Sequence, residues 1–223
     1  MEPGRTILRL AHRGDWRLAP ENSVAALVAG ARATRSAGVE FDVRLAADGR
    51  PVLSHDADLL RVQGVPHAIG RLKAAALAAH GVALLSDALA AVPADAFLDV
   101  ELKEMPNKAV AEALIDARGD TPARAVVSAF DPAALEKAST LLPGWPRWLN
   151  AWWIDAEVVA VAVGVGCAAI AAEFHAITPA TARAAHEAGL DLVAWTVRRR
   201  PTLARLERLG VLAACVEGST LDR

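Results

Sequence analysis

Short apolar runs with period-two alternation recur along the chain, separated by longer alanine-rich stretches whose apolar positions fall at helical spacing. The short runs predict eight strands, at 7–11, 39–45, 97–102, 124–130, 148–153, 168–174, 190–197 and 212–217. Most intervals between them read as helices, among them 23–37, 107–117, 132–142, 179–188 and 201–209. Asn22/Ser23, Asp131-Pro132, Thr178-Pro179 and Arg200-Pro201 supply capping groups or a first-turn proline. Gly38 and Gly189 stand where a helix should end before the next strand. Eight strands with intervening helices predict an α/β fold, a parallel sheet closed as a (β/α)8 TIM barrel.

Two places break the rhythm. From Pro51 to Val92 a short strand leads into a turn-rich stretch with Gly64, Pro66 and Gly70, then two short helical patterns. This reads as a short excursion after the second strand, inserted at about 57–80 of a single domain spanning 1–223. After Glu217 only six residues remain, so the eighth helix is expected to be absent or reduced to a turn.

Composition narrows the class. The chain has 223 residues, 54% hydrophobic and 22% charged, which excludes a disordered protein. No apolar stretch approaches the roughly 18 residues of a membrane span, so stable membrane insertion is not expected. The opening Met1-Glu2-Pro3-Gly4-Arg5 leaves no room for a signal peptide, and cytoplasmic residence is the default expectation. A formal net charge of −2 provides no field that would gather nucleic acid, and Arg198-Arg199-Arg200 reads as a solvated turn. Cys167 and Cys215 are far apart, in no ligand spacing, and read as buried reduced thiols.

Parity then selects chemistry. Residues two apart on a strand share a face, so Glu40 points with Asp42, and Asp99 with Glu101 and Lys103. Either pattern alone fits a solvent-facing edge or a salt-bridged barrel interior. Near the C-terminal strand ends, however, Glu40, Asp42 and Glu101 can converge on one hard cation with oxygen ligands. His12 ends the first strand and His55 the extension after the second, and both strands run toward the same rim. A pair of imidazoles suits acid–base work across a scissile P–O bond. Arg13 offers a planar fork for phosphate oxygens, and Lys103 a point charge. The set reads as phosphoryl chemistry.

Ala11-His12-Arg13-Gly14, Pro20-Glu21-Asn22-Ser23, Glu40-Phe41-Asp42-Val43, Asp48-Gly49-Arg50-Pro51-Val52 and His55-Asp56 resemble, in order and spacing, the opening motifs of the glycerophosphodiester phosphodiesterase family. Val100-Glu101-Leu102-Lys103, Val127-Ser128-Ala129-Phe130 and Ala194-Trp195-Thr196-Val197 resemble its later strand motifs. The resemblance implies a TIM-barrel hydrolase, using Mg²⁺ or Ca²⁺, that splits small glycerophosphodiesters into glycerol 3-phosphate and an alcohol. It implies His12 and His55 as the acid–base pair, Glu40, Asp42 and Glu101 as metal ligands, and Arg13 and Lys103 as phosphate binders. Its reaction scheme has the substrate's glycerol 2-hydroxyl attack phosphorus, giving a cyclic phosphate that water opens. Which histidine is acid and which base stays open.

The chain departs from that pattern at Ser23, where threonine is commoner, at Arg198, where asparagine is frequent, and at Cys215-Val216-Glu217-Gly218 ending the last strand. The inserted segment after His55 is short. These departures concern the rim and leave the headgroup open. Trp195 is a candidate substrate-contacting wall, and one or two of Trp145, Trp148, Trp152 and Trp153 could line the mouth. His175 lies near the rim as a weaker candidate, whereas His67, His80 and His186 read as surface residues. Two other functions compete: phospholipase D-like cleavage of lysophospholipids by the same attack, and a non-catalytic phosphodiester-binding barrel. The histidine pair argues against the last, because binding alone needs no paired acid and base.

Overall fold

The computed structural model describes residues 6–222, and the opening Met1–Arg5 segment lies outside them. In chain order the strands are β1 (Leu8–His12), β2 (Gly38–Leu45), β3 (Pro51–Leu53), β4 (Phe97–Leu102), β5 (Ala125–Ala129), β6 (Arg147–Ala151), β7 (Ala169–Glu173), β8 (Asp191–Val197) and β9 (Ala213–Val216). The helices are α1 (Val24–Ala31), α2 (Leu60–Gln63), α3 (Ala74–Ala79), α4 (Leu85–Ala91), α5 (Lys108–Arg118), α6 (Pro132–Leu141), α7 (Ala156–Val165), α8 (Pro179–Glu187) and α9 (Arg200–Arg208). All strands but β3 run parallel in the order β1-β2-β4-β5-β6-β7-β8-β9, and β9 returns to β1. The sheet is therefore a closed eight-stranded parallel barrel with helices between its strands, as the alternation predicted. β3 pairs antiparallel with the end of β2 and hangs His55 over the rim.

Five of the nine helices among the described residues start on a capping side chain. Ser23, Asn107, Asp131, Asp155 and Thr178 accept first-turn backbone N–H groups with their side chains. The core forms two layers. One lies between strands and helices, from residues such as Phe41, Leu98, Leu114 and Leu135. The other plugs the barrel lumen below the site, where Leu10, Val126, Trp148 and Val193 meet, and Trp148 stacks on Phe97 at 5.7 Å. After β9 the chain makes a single 3₁₀ turn, Gly218–Leu221, in place of an eighth helix. Among the described residues no helix is long and apolar enough to cross a membrane.

Some boundaries differ from the sequence pattern. The first helix stops at Ala31, well short of position 37, and the chain then turns so that Ser36 Oγ can donate to the Gly38 carbonyl. Gly38 does not cap that helix; it opens β2, where a Cβ would sit 1.9 Å from the Phe97 carbonyl oxygen. The sixth strand ends at Ala151, leaving Trp152 and Trp153 exposed in the following loop. His186 is partly buried, its ring close to Gly210. The excursion between β3 and α4 holds α2, a 3₁₀ turn at Ile69–Arg71 and α3 around a small core of its own, including Leu59, Ile69 and Leu77.

Candidate active site

The parity of eight parallel strands decides what enters the lumen. His12, Glu40, Asp42, Asp99, Glu101, Ser128, Asn150, Ala171, Trp195, Cys215 and Glu217 all occupy inward positions, and most of them line a cavity of about 720 Å³ at the C-terminal end. Arg13, His55 and Lys103 join it from the loops that follow.

Glu40, Asp42 and Glu101 come together as the sequence predicted: one carboxylate oxygen from each lies within 4.8 Å of the others. Glu40 Oε1 is buried without a hydrogen-bond partner, and Asp42 Oδ1 has only the Lys103 ammonium, 3.5 Å away. Orphaned anionic oxygens in a buried site are costly unless a cation meets them. The donors are all oxygen, and so suit a hard divalent ion. The group can therefore hold a metal. The pKa pattern agrees: burial, with Asp42 and Glu101 beside it, pushes Glu40 well above the usual carboxylate range, and burial then Asp42 raise Glu101 to about 6. Asp42 goes the other way, since Arg13 and Lys103 outweigh its burial. One layer lower, burial drives Asp99 to about 7, although Ser128 Oγ donates to it at 2.6 Å.

The motifs explain how these groups are held. Asn22 donates from Nδ2 to Asp42 Oδ2 at 2.8 Å and accepts from the Asp42 amide at 3.1 Å, locking that carboxylate in place. Arg13 donates from its amide to Glu40 Oε2 at 3.0 Å, from Nη1 to Glu21 at 2.9 Å, and sets Nε 3.2 Å from Asp42. Both Arg13 and Asn22 sit at φ 56°, a left-handed conformation that non-glycine residues seldom adopt. The Asn22 amide bonds back to the Arg13 carbonyl at 3.0 Å, so the loop pins one to the other. Gly14, at φ 82°, lets this turn lie against α1, where a Cβ would be 2.3 Å from the Ala26 carbonyl carbon. Lys103 Nζ donates to Glu101 at 2.6 Å and stands 3.5 Å from Asp42.

The two histidines face the cluster with matching support. His12 Nδ1 lies 2.6 Å from Glu217 Oε1, and His55 Nδ1 lies 2.7 Å from Asp56 Oδ1. With a carboxylate accepting at Nδ1, each ring keeps Nε2 free; that of His12 is 3.8 Å from Glu40. Burial pushes the His55 pKa down, which Asp42 and Asp56 offset only in part. Glu217 and Asp56 were not singled out as site residues by sequence reasoning. The rule that strand C-termini carry the chemistry of a barrel was the available signal for Glu217. Arg61, on α2, ties the excursion to the site by bonding Glu21 twice (2.6 and 2.8 Å) and Asp56 at 2.6 Å.

The far wall is aromatic. Trp195 anchors its Nε1 on the Ala171 carbonyl at 2.8 Å and meets Trp152 edge-on at 4.7 Å and Phe130 at 5.6 Å. Trp195 thus lines the cavity, as does Trp152, while Trp145 and Trp148 are buried in the core. His175 is exposed, bonded to Glu173, and outside the cavity. Both cysteines are free and buried, and Cys215 faces the cavity.

The closed (β/α)8 barrel thus gathers a carboxylate cluster, two carboxylate-supported imidazoles and the side chains of Arg13 and Lys103 at one mouth. The chain belongs to the glycerophosphoryl diester phosphodiesterase family, whose pattern it matches over residues 12–218. It is similar to glycerophosphodiester phosphodiesterase 1 of Bos taurus, 43% identical over 61 residues that make up 27% of this chain and 18% of that protein. The human counterpart is 43% identical over 56 residues, 25% of this chain and 17% of the human protein. The match spans under a fifth of either relative. Its fold is that of an Oleispira antarctica phosphodiesterase in complex with the product sn-glycerol-3-phosphate, with a TM-score of 0.83, 24% identity, and 95% of this chain and 93% of that chain covered. A Thermotoga maritima glycerophosphodiester phosphodiesterase gives 0.75, 23% identity, and coverage of 96% and 95%.

Proposed function

We propose that this protein hydrolyses glycerophosphodiesters to glycerol 3-phosphate and an alcohol, with His12 and His55 as the acid–base pair. The observation that carries this reading is the matched carboxylate support at Nδ1 of both rings, which leaves two Nε2 atoms for proton transfer beside one acidic cluster. Binding alone would not need two such rings. In the reaction one imidazole takes the proton from the attacking glycerol 2-hydroxyl as its oxygen bonds to phosphorus. The other delivers a proton to the leaving alkoxide as the P–O bond breaks. Water then opens the cyclic phosphate by the same exchange in reverse.

Arg13 and Lys103 bind the phosphate oxygens in this reading, and Trp195 walls the glycerol side. Glu40, Asp42 and Glu101 hold Mg²⁺ or Ca²⁺, which when bound neutralises charge on the phosphoryl oxygens. The family relation and the sn-glycerol-3-phosphate bound by the Oleispira protein support the substrate class. The test is turnover of glycerophosphocholine with and without EDTA, by the wild type and by His12→Ala and His55→Ala. Loss of at least about 100-fold in each variant and on chelation is expected; an EDTA-insensitive rate sinks the metal assignment.

A further inference from the structure

Nine large apolar side chains stand exposed among the described residues, and all but Val163 lie in the connections that follow β1, β3, β4, β5 and β6. The connections after β1, β4, β5 and β6 form the rim of the mouth, because parallel barrel strands all end there, and the segment after β3 joins it through His55 and Arg61, which line the cavity. A singly exposed apolar residue is ordinary; confinement to one end of a molecule is not. Trp16, Phe130 and Trp152 line the cavity and belong to the site already described. The other five do not line it. Leu18 is 74% exposed after β1, Leu60 and Val62 ride on α2, Met105 follows β4, and Trp153 is 62% exposed after β6.

We propose that this outer ring docks the mouth onto a lipid–water interface, so that phosphodiesters borne by amphiphiles in that interface reach the cavity. The occupant follows from the geometry. A second copy or a protein partner seated on a ring around the mouth would stop it, whereas a lipid surface brings substrate to it. The chemistry fits as well. Trp153 joins a large apolar ring to one polar N–H, which suits the headgroup boundary, and leucine and methionine reach the acyl layer beneath.

Carboxylates on the same face are held by local partners and keep their charge. Asp58, Asp131 and Asp155 turn their carboxylates onto the amides of Leu60, Ala133 and Val158, each at 2.9 Å. Arg61 bridges Glu21 and Asp56, Arg13 also pairs with Glu21, and Arg198 pairs with Glu217. Arg199 is exposed toward the β8 side, where lipid phosphates can meet it. The attachment proposed is peripheral, made by rim side chains alone.

The test is co-sedimentation of the whole chain with phosphatidylcholine vesicles, with and without phosphatidylserine. A Leu18→Ser/Trp153→Ser double variant should lower the vesicle-bound partition coefficient on the order of tenfold for each anchor lost. Turnover of water-soluble glycerophosphocholine should stay unchanged, because neither residue lines the cavity. The two single variants keep the test available should the double variant fail to fold. Wild-type protein that sediments with neither vesicle overturns the proposal, as does a variant that binds like the wild type. A dimer seen by light scattering and lost on the same substitutions also overturns it, assigning the ring to a second copy. Vesicle binding by a wild type that cleaves no phosphodiester leaves the docking standing and sinks only the hydrolytic reading.

Discussion

Glu217 holds His12 across 205 positions of sequence, its Oε1 2.6 Å from the ring's Nδ1, while its other oxygen accepts from Arg198 Nε at 2.6 Å. Burial alone would raise the Glu217 pKa, but the bonds from His12 and Arg198 keep it below the usual carboxylate range. Glu217 therefore remains anionic near neutrality and fixes the tautomer that leaves Nε2 of His12 toward the acidic cluster.

Glu217→Gln keeps the shape and removes the charge, so His12 loses its preference for that tautomer. The expected result is a fall in kcat of about tenfold or more with KM little changed, since no substrate contact is removed. Steady-state kinetics on glycerophosphocholine checks it. An unaltered kcat would show that His12 needs no such support.

Arg61→Ala removes the bridge from α2 to Glu21 and Asp56. Burial would raise the Glu21 pKa, but bonds from Arg61 and Arg13 bring it down to about 2. A carboxyl with a depressed folded pKa contributes stability above its unfolded value, near 4.5, and loses it as pH falls toward about 2. Without Arg61 that contribution should be smaller and should be lost at a higher pH. Melting curves taken between about pH 5 and pH 2 should show the variant unfolding earlier on acidification, whereas at high salt the difference should shrink.

Much of this was legible because a parallel barrel obeys one rule. Positions two apart look inward, so Glu40 with Asp42, and Asp99 with Glu101, could be read straight from alternation. Glu217 could not, because its tie to His12 exists only once β9 closes against β1, and alternation carries no information on closure. The α7 segment escaped for a different reason. After Glu157, Ala156–Val165 is so continuously apolar that no helical period stands out, and only Asp155 and Gly166 mark its ends. Trp152 and Trp153 extended the apparent strand because aromatic residues favour strands, yet at the rim one of them serves the cavity wall instead.

Gly38 and Gly189 separate two kinds of glycine requirement. Gly38→Ala would drive a methyl into the backbone of β4, 1.9 Å from the Phe97 carbonyl oxygen, in the strand that carries Glu40 and Asp42. A loss of about 3 kcal/mol or more is expected, roughly 10 °C in Tm for a chain of this size. Gly189→Ala meets no atom within 4 Å and suffers only from its φ of 77°, at about 1–2 kcal/mol. Thermal melts of the two variants should fall in that order.

Metal and protons should compete for the acidic cluster. Asp99 and Glu101, raised to about 7 and about 6, bind protons in the folded chain at pH values where the unfolded chain has released them. Without metal, these groups therefore make stability fall as pH rises, from their ordinary values of 3.8 and 4.5 up to about 7 and 6. A divalent ion held by Glu40, Asp42 and Glu101 would displace the Glu101 proton and disfavour the one on Asp99 a layer below, so its stabilising effect should grow across the same window. His55, with its pKa pushed down, works with the opposite sign just below 6.5, which is why the comparison must be the difference with and without metal at each pH. The rise in Tm on adding Mg²⁺ or Ca²⁺ should be small near pH 5 and reach its full size by about pH 7.5. It should disappear in Asp42→Asn, which keeps the Asn22 contact but removes a ligand charge. A metal-induced shift that ignores pH, or one that survives Asp42→Asn, would remove the cluster from the metal site.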